Sequence, residues 1–321
     1  MKNFRKTEKK KSSVSYITIS EEYANQRIDN FLIRTMKGMP KSHVYRILRK
    51  GEVRINKKRV SAFYKLLAGD VVRLPPFYSV EAADHVPPSQ QTMNLLQQRI
   101  LYEDANLLVI NKPSGMSVHA GSTVRVGVIE AARHLFPKLK HLELAHRLDS
   151  ETSGCLVLAK KRSILRELHS LLREGQMTKL YLALTQGKWL ASELKVDLPL
   201  HKDYRDGGKH VVEVNKAGKS ALTEFKILEK FDHSMLVEVK LFTGRTHQIR
   251  VHAAHRKHPI ALDDRYGDPE FNKIMHQMGL KRMFLHARLI DFVLPSSGQQ
   301  IRVEAPLDVE LEKVLQKLRT K

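Results

Sequence analysis

A short polar segment between two apolar runs constrains the fold of this chain more than any other feature. Residues 142–145 and 156–159 are mostly apolar, and the 150–154 segment between them is rich in serine and carries a glycine, which favour turns. The pattern predicts two strands joined by a loop from which Asp149 projects. Such loops often display a catalytic carboxylate; the ordinary alternative is a surface aspartate that caps a turn.

The charge of the chain indicates a polyanionic partner. Its 321 residues carry 56 Lys and Arg against 34 Asp and Glu, which gives a formal net charge of +22. Nucleic acid is the commonest large polyanion, so RNA or DNA is the expected ligand. Since no apolar run approaches the roughly 20 residues that span a bilayer, we expect no membrane insertion. The basic start is followed by Ser12-Ser13 rather than an apolar segment, so no secretory signal is predicted and the cytoplasm is the expected location.

Disulfide and metal sites are not predicted. The single cysteine, Cys155, excludes an internal disulfide, and its apolar neighbours predict a buried position in the core. The histidines between 247 and 258 lack the compact spacing of a zinc site. Asp263 and Asp264 are adjacent without further acidic clustering, so we expect them to cap or to pair with nearby cations such as Arg265.

The first quarter of the chain predicts a basic tail and a small α+β unit. Residues 1–15 are too polar to pack and are expected to be disordered. Apolar residues at helical spacing predict a helix that begins near Arg27 and closes near Gly38. A second helix follows, capped by Ser42 and ended by Gly51. Alternating apolar residues then predict short strands.

Two helices followed by strands resemble the S4 RNA-binding domain, and the resemblance rests on segments 27–29, 40–42 and 50–56. It implies an S4-like domain over residues 16–75, followed by a Pro-rich linker, 76–98. It also implies that basic side chains of this unit bind RNA: Lys41, Arg46, Arg49, Lys50 and Arg54. The alternative is that these charges form only a solvated helix face.

Residues 99–321 predict one larger domain. Short strand-like runs dominate it, at 109–110, 156–158, 180–184, 237–241 and 292–294. Because turns and only a few helices separate these runs, we expect an α+β domain with a mainly antiparallel sheet rather than alternating βαβ units. The clearest helix spans 163–174, where leucines recur at helical spacing before Gly175.

The loop segment His146-Arg147-Leu148-Asp149, followed by Thr152-Ser153-Gly154, resembles the active-site signature of the RluA-type pseudouridine synthases. Further blocks match that family in the same order: 111–115, 179–181, 243–252 and 284–287. With the S4-like unit, the resemblance covers the chain from about residue 20. One departure is Leu294-Pro295, where many relatives have His-Pro, but this position is peripheral.

The resemblance implies roles for the matching residues. Asp149 is then the catalytic aspartate, Arg250 its ion-pair partner, and Tyr181 an active-site ring that packs against the base; core packing is the alternative for Tyr181. Arg147, with His146 beside it, is expected to contact RNA and to occupy the place of the extruded base. Four residues are expected at the pocket rim: Asn111, Lys112, Arg245 and His247.

The local pattern around Arg250 agrees with this placement. After an alternating strand, Gly244 permits a turn and Thr246 can cap the helix that follows. His247 and Arg250 are then three residues apart on one helical face. A cation at that place favours the charged form of the Asp149 carboxylate.

Isomerising uridine requires neither a metal nor a redox cofactor, and one carboxylate suffices, whereas glycoside hydrolysis uses two and admits water. The resemblance therefore implies a cofactor-free enzyme that converts specific uridines to pseudouridine in large-subunit (23S) ribosomal RNA, free or in a pre-ribosomal particle. A monomer is expected. The alternatives are a tRNA-directed synthase, a noncatalytic S4-type RNA-binding or ribosome-assembly protein, and a base-excising glycosylase.

Overall fold

The computed structural model describes residues 9–36, 38–80, 87–121, 126–204 and 210–320. The chain divides into two compact units, Met1–Val86 and Pro87–Lys321.

The described residues of the N-terminal unit form two helices and short strands around one apolar core. The helices are α1 (Ile28–Thr35) and α2 (Lys41–Lys50). The strands are β1 (Lys9–Lys11), β2 (Ser15–Thr18), β3 (Arg54–Ile55), β4 (Val71–Leu74) and β5 (Tyr78–Val80). Strands β2, β4 and β3 form an antiparallel sheet in that order, and β1 pairs with β5. The apolar faces of α1 and α2 are buried in the same core, as their helical spacing predicts.

The caps of α2 differ in part from the prediction. Gly51 ends the helix in the left-handed conformation, with φ of 72°, as predicted. The prediction that Ser42 caps the helix was wrong, because α2 begins at Lys41 and its N-cap residue is Pro40, which offers no side-chain acceptor.

In the C-terminal unit, ten of the described strands form one sheet. Its strands in chain order are β6 (Ile100–Glu103), β7 (Leu107–Lys112), β8 (Glu143–Leu144), β9 (Ser153–Ala159), β10 (Thr178–Gln186), β11 (Lys195–Asp197), β14 (Leu222–Lys230), β15 (Ser234–Leu241), β16 (Leu285–Val293) and β17 (Gln300–Glu304). A separate hairpin consists of β12 (Leu200–Tyr204) and β13 (His210–Val214). The helices are α3 (Gln90–Gln97), α4 (Val128–Leu135), α5 (Arg162–Arg173), α6 (Gln248–His255), α7 (Pro269–Gln277) and α8 (Val309–Arg319).

The sheet runs in the order β11-β14-β15-β10-β16-β9-β7-β6, with β17 added to β16 and β8 to β9. Among the described strand pairs, β9 and β16 are parallel and the others are antiparallel. The predicted α+β fold with a mainly antiparallel sheet is confirmed. The predicted helix at 163–174 corresponds to α5, and Cys155 is fully buried in the core.

The predicted tail and linker contain regular structure. Of the tail, residues 1–8 lie outside the described residues, but Lys9–Lys11 pair with β5, so the expectation of disorder was wrong there. Within the predicted linker, Ser89 accepts a hydrogen bond from the Thr92 N–H and so caps α3. Helix α3 buries Leu96 in the core of the C-terminal unit, which therefore begins earlier than residue 99.

The parallel junction between β9 and β16 requires a glycine. Gly154 has a φ of 109°, and a Cβ at this position would collide with the backbone of Ala287 in β16. The junction directly follows the loop that carries Asp149, so the close approach of these strands sets the position of that loop.

We expect Gly154→Ala to lower the free energy of unfolding by about 3 kcal/mol, because it adds a steric collision to an unfavourable φ. Gly298→Ala is a matched control, since Gly298 also has a positive φ, 66°, but open space around its Cβ position. The control should lose only about 1 kcal/mol. Equal losses in urea unfolding would show that the close approach to β16 costs nothing.

Candidate active site

The loop that carries Asp149 is fixed from beneath by a buried lysine. It joins β8 to β9, and the Nζ of Lys112, at the end of β7, donates hydrogen bonds of 2.7–2.8 Å to three carbonyls, those of Pro113, Met116 and Ser150. The side chain of Lys112 is fully buried. An ammonium has three N–H donors, so all of them are used within the protein.

This arrangement corrects two of the predicted rim residues. Lys112 supports the loop from inside, and Asn111 is buried with its Nδ2 donating to the Pro306 carbonyl. Neither residue lines the cavity beside Asp149, so their prediction as rim residues was wrong. The apolar run that precedes them could have indicated their burial, because they end a strand, β7, in which every residue is buried.

Arg250, in α6, faces two carboxylates. Its Nη1 lies 3.4 Å from Oδ2 of Asp149, while its Nε and Nη2 each donate a 2.7 Å hydrogen bond to Asp263. Asp263 is 1% exposed and also accepts the backbone N–H groups of Arg265 and Tyr266. As expected, Asp263 both caps a turn and pairs with a nearby cation, and that cation is Arg250.

The charges of this buried pair stabilise each other. Burial alone would raise the pKa of the Asp263 carboxyl, but the hydrogen bonds and charge of Arg250 hold that pKa below its ordinary value. Burial acts to lower the pKa of Arg250, and the two aspartates more than offset it, so the net pKa is raised. Arg250 is therefore a fixed positive charge beside Asp149.

The turn before α6 closes differently from the prediction. The N-cap residue is His247, in the left-handed conformation with φ of 52°, so the prediction of Thr246 as the cap was wrong. Gln248 holds the turn instead. Its side chain accepts from the Arg245 N–H and the Thr243 hydroxyl, and donates to the Leu222 carbonyl and the Thr223 hydroxyl.

His247 completes the surroundings of Asp149. Its Nε2 lies 3.8 Å from Oδ2 of Asp149, and its Nδ1 is hydrogen-bonded to the hydroxyl of Tyr266 at 2.8 Å. Burial lowers the pKa of His247 to about 4, so the ring is neutral at neutral pH.

Asp149 opens into a cavity of about 480 Å³. Seven predicted site residues line it: His146, Arg147, Asp149, Tyr181, Arg245, His247 and Arg250. Tyr181, on β10, is 7% exposed, and burial raises the pKa of its hydroxyl. Lys179 lies two residues earlier on the same strand face and also lines the cavity, a position that the sequence block 179–181 contained but to which no role was assigned.

The two residues before Leu148 are placed differently. Arg147 is exposed at the cavity, whereas the Nε2 of His146 accepts the backbone N–H of Val157 at 3.1 Å and ties the loop to β9. Burial lowers the pKa of His146 to about 4, which agrees with an imidazole nitrogen that accepts. His146 therefore anchors the loop in this structure.

The basic residues predicted for RNA binding in the N-terminal unit are all exposed. Four of them lie on α2: Lys41, Arg46, Arg49 and Lys50. The fifth, Arg54, lies on β3, and its Nε donates to the Gly51 carbonyl. Elsewhere, no group of three or more His, Cys, Asp or Glu side chains in the described ranges is arranged to hold a metal ion. His252, for example, bonds to the Thr223 hydroxyl and the Leu198 carbonyl.

Comparison with known proteins identifies the family. A model of the RNA pseudouridylate synthase family matches residues 106–255, and a model of the S4 domain matches residues 26–72. The chain is 51% identical to the ribosomal large subunit pseudouridine synthase C of Pasteurella multocida over 309 residues, which cover 96% of this chain and 94% of that protein. The chain belongs to the RNA pseudouridine synthases. The synthase C of Escherichia coli K12 is likewise 51% identical to this pseudouridine synthase, over 96% of the chain and 97% of that relative.

Solved structures of pseudouridine synthases agree with the fold. Human RNA pseudouridylate synthase domain containing 4 is 28% identical with a TM-score of 0.56, and covers 71% of this synthase and 95% of its own chain. Human RNA pseudouridylate synthase domain containing 1 is 26% identical with a TM-score of 0.55, and the match covers 69% of this synthase and 94% of the human chain. The predicted family, the enzyme class and the S4 domain are confirmed. The helices in the described part of the chain are each too short or too polar to cross a membrane.

His146 makes the stability of the synthase depend on pH. The unfolded imidazole takes up a proton near pH 6.5, whereas the folded one stays neutral until about pH 4. The unfolded state therefore binds more protons between these values, and stability is lost as the pH falls from about 6.5 to about 4. We expect His146→Gln, which keeps an acceptor for Val157 but does not titrate, to reduce this loss in urea unfolding.

His134→Gln is the control for the removal of an imidazole, because His134 is exposed on α4 and does not touch the loop. An unchanged dependence on pH in His146→Gln, relative to the wild type, would contradict the assignment of His146 as a neutral anchor of the loop.

Proposed function

We propose that this pseudouridine synthase isomerises specific uridines in large-subunit ribosomal RNA, without a cofactor and with Asp149 as the catalytic residue. The observation that carries the proposal is a carboxylate held beside a fixed guanidinium at the wall of a cavity of about 480 Å³. The choice of RNA is supported by the relatives at 51% identity, which are named for the large ribosomal subunit. A tRNA substrate is the second candidate, but no described contact favours it.

The chemistry of the cavity supports isomerisation over base excision. Among the described residues that line it, Asp149 is the one acid. Ordinary glycoside hydrolysis uses a second carboxylate and admits water, whereas isomerisation needs one group at the ribose while the uracil turns and rebinds through carbon. Asp149 acts as nucleophile or base, and Arg250 stabilises its charge before and after the step.

The other residues of the cavity bind the nucleotide. Tyr181 is buried with its ring at the wall, where it packs against the uracil face. Arg147 is an exposed cation in the lining of the cavity and enters the RNA stack in place of the extruded base. Lys179 and Arg245 place two more cations around the cavity, where they bind backbone phosphates.

The S4 domain supplies affinity for structured RNA. Its helix α2 exposes four basic side chains on one short segment, and each cation placed on a phosphate releases counterions. We propose that the synthase works as a monomer on free ribosomal RNA or on a pre-ribosomal particle in the cytoplasm.

Asp149→Asn tests the catalytic assignment. The amide keeps the size of the side chain but cannot act as nucleophile or base, so we expect the single-turnover rate of pseudouridine formation to fall at least about 10⁴-fold while the Kd for RNA stays within about twofold. The rate is measured by tritium release from a large-subunit ribosomal RNA transcript that contains [5-³H]uridine.

Asp232→Asn is the matched control, because it removes an exposed carboxylate that does not line the cavity. It should retain the wild-type rate. Turnover by Asp149→Asn within tenfold of the wild type would overturn the assignment of Asp149.

The triple variant Arg46→Gln, Arg49→Gln, Lys50→Gln tests the RNA grip of the S4 domain. Three lost phosphate contacts should weaken binding and reduce the slope of log Kd against log salt by about 2. The single-turnover rate at saturating enzyme should remain, because none of these residues lines the cavity. The readout is filter binding of the transcript at several salt concentrations.

A dispersed triple variant, Lys195→Gln, Lys226→Gln, Lys313→Gln, removes the same net charge from exposed positions of the C-terminal unit. It should change the salt slope far less. If the two triples behave alike, α2 contributes general charge rather than defined phosphate contacts.

A further inference from the structure

Tyr266 contacts both of the cationic or imidazole groups that face Asp149, and also the partner of one of them. It lies in the segment between α6 and α7, and its hydroxyl is bonded to Nδ1 of His247 at 2.8 Å. Its ring lies 5.1 Å from the guanidinium carbon of Arg250, and its backbone N–H donates to Asp263 at 3.0 Å. Tyr266 itself does not line the cavity.

The surroundings of the Tyr266 hydroxyl favour one tautomer of His247. The hydroxyl oxygen accepts the backbone N–H of Val212, in β13, at 3.2 Å. When the hydroxyl proton is given to Nδ1 of His247, the ring proton must lie on Nε2, which faces Oδ2 of Asp149 at 3.8 Å. The opposite tautomer would set a nitrogen lone pair against the carboxylate, which is unfavourable.

The ring of Tyr266 acts on the second group that faces Asp149. A guanidinium over an aromatic face is attracted to it, so the ring restrains the plane of Arg250. That plane is also fixed by the two hydrogen bonds to Asp263, to which the backbone of Tyr266 is bonded. Tyr266 and Asp263 therefore hold one unit, in which Arg250 has little freedom to rotate.

The backbone of His247 is consistent with a constrained position. A φ of 52° is uncommon for a residue other than glycine, and such conformations persist where the surroundings hold them. The surrounding contacts here are the hydroxyl of Tyr266 and its ring, which meets the imidazole edge at 5.5 Å and 69°.

We propose that Tyr266 is a positioning residue that directs the Nε2–H of His247 toward Oδ2 of Asp149. Arg250 and His247 both approach that same oxygen, so Oδ1 is the oxygen that reacts with the substrate. This inference rests on the proposed catalytic role of Asp149. An N–H that points at Oδ2 from 3.8 Å attracts that oxygen electrostatically and favours one rotation of the carboxylate. Misplacement of a reacting group by 1 Å is enough to slow a reaction about 100-fold.

Tyr266→Phe removes only the hydroxyl and keeps the ring beneath Arg250. We expect the single-turnover rate on the [5-³H]uridine transcript to fall about tenfold, with the Kd for RNA unchanged. Tyr102→Phe is the control, because it removes a tyrosine hydroxyl that is bonded to Asp104, away from the cavity. The control should keep the wild-type rate.

A double-mutant cycle separates positioning from a general structural effect. His247→Gln should lower the rate by a similar factor, and adding Tyr266→Phe to it should cause no further loss, because Tyr266 acts through His247. Multiplying effects would overturn the proposal. The ¹⁵N shifts of His247 give a direct readout: the Nε2–H tautomer should dominate in the wild type and give way to a mixture in Tyr266→Phe.

Failure of this inference is distinct from failure of the proposed function. An active wild type, an inactive Asp149→Asn and a fully active Tyr266→Phe would overturn the role of Tyr266 alone. Turnover by Asp149→Asn would overturn the role of Asp149, whatever the tyrosine variant does.

Discussion

The buried pair of Arg250 and Asp263 is the interaction on which the rest of the site depends. Two charges removed from water are tolerated only when their hydrogen-bonding groups are satisfied, and here the carboxylate accepts two guanidinium bonds and two backbone N–H groups. Because the short bonds of Arg250 go to Asp263, its remaining nitrogen stands 3.4 Å from Asp149. The guanidinium thus supports the charge of Asp149 without closing on it, and the carboxylate stays available to a substrate.

A buried lysine also supports the loop. Lys112 holds three carbonyls and gives the loop a fixed shape before any RNA arrives, as His146 does through β9. Lys112 lies outside the lining of the cavity, His146 lines it and also reaches β9, and Arg147 and Arg245 line it from exposed positions. The loop is therefore held by contacts within the protein, so the carboxylate is positioned before RNA binds, as a preorganised site requires.

The sequence alone predicted the local features of this molecule well. The apolar runs around Asp149 form β8 and β9, the leucine spacing forms α5, and Gly51 ends α2. These features depend on neighbours within a few residues. Helix α3 was missed because the adjacent Pro87-Pro88 argued for a linker, although Ser89 offered the signal of a cap.

Features set by distant contacts were not predictable from local pattern. The burial of Lys112 follows from the pairing of β7 with β9, which lies some 40 residues later in the chain. The pairing of Arg250 with Asp263 depends on an irregular segment that folds back beneath α6, and adjacency favoured Arg265 instead. Thr246 has the chemistry of a cap, but the left-handed backbone of His247 shifts the helix start by one residue.

The strand order of the sheet has a consequence for how the enzyme is made. Strand β16 lies between β9 and β10, although it is among the last strands to be synthesised. The Asp149 loop enters β9, while Tyr181 belongs to β10, so the two sides of the cavity become neighbours only when β16 has inserted between them. A nascent chain that stops before residue 285 therefore holds Asp149 and Arg250 in sequence but not in space. The two walls of the pocket are therefore brought together by a strand that is synthesised about 100 residues after Tyr181, so the pocket depends on a late, long-range pairing.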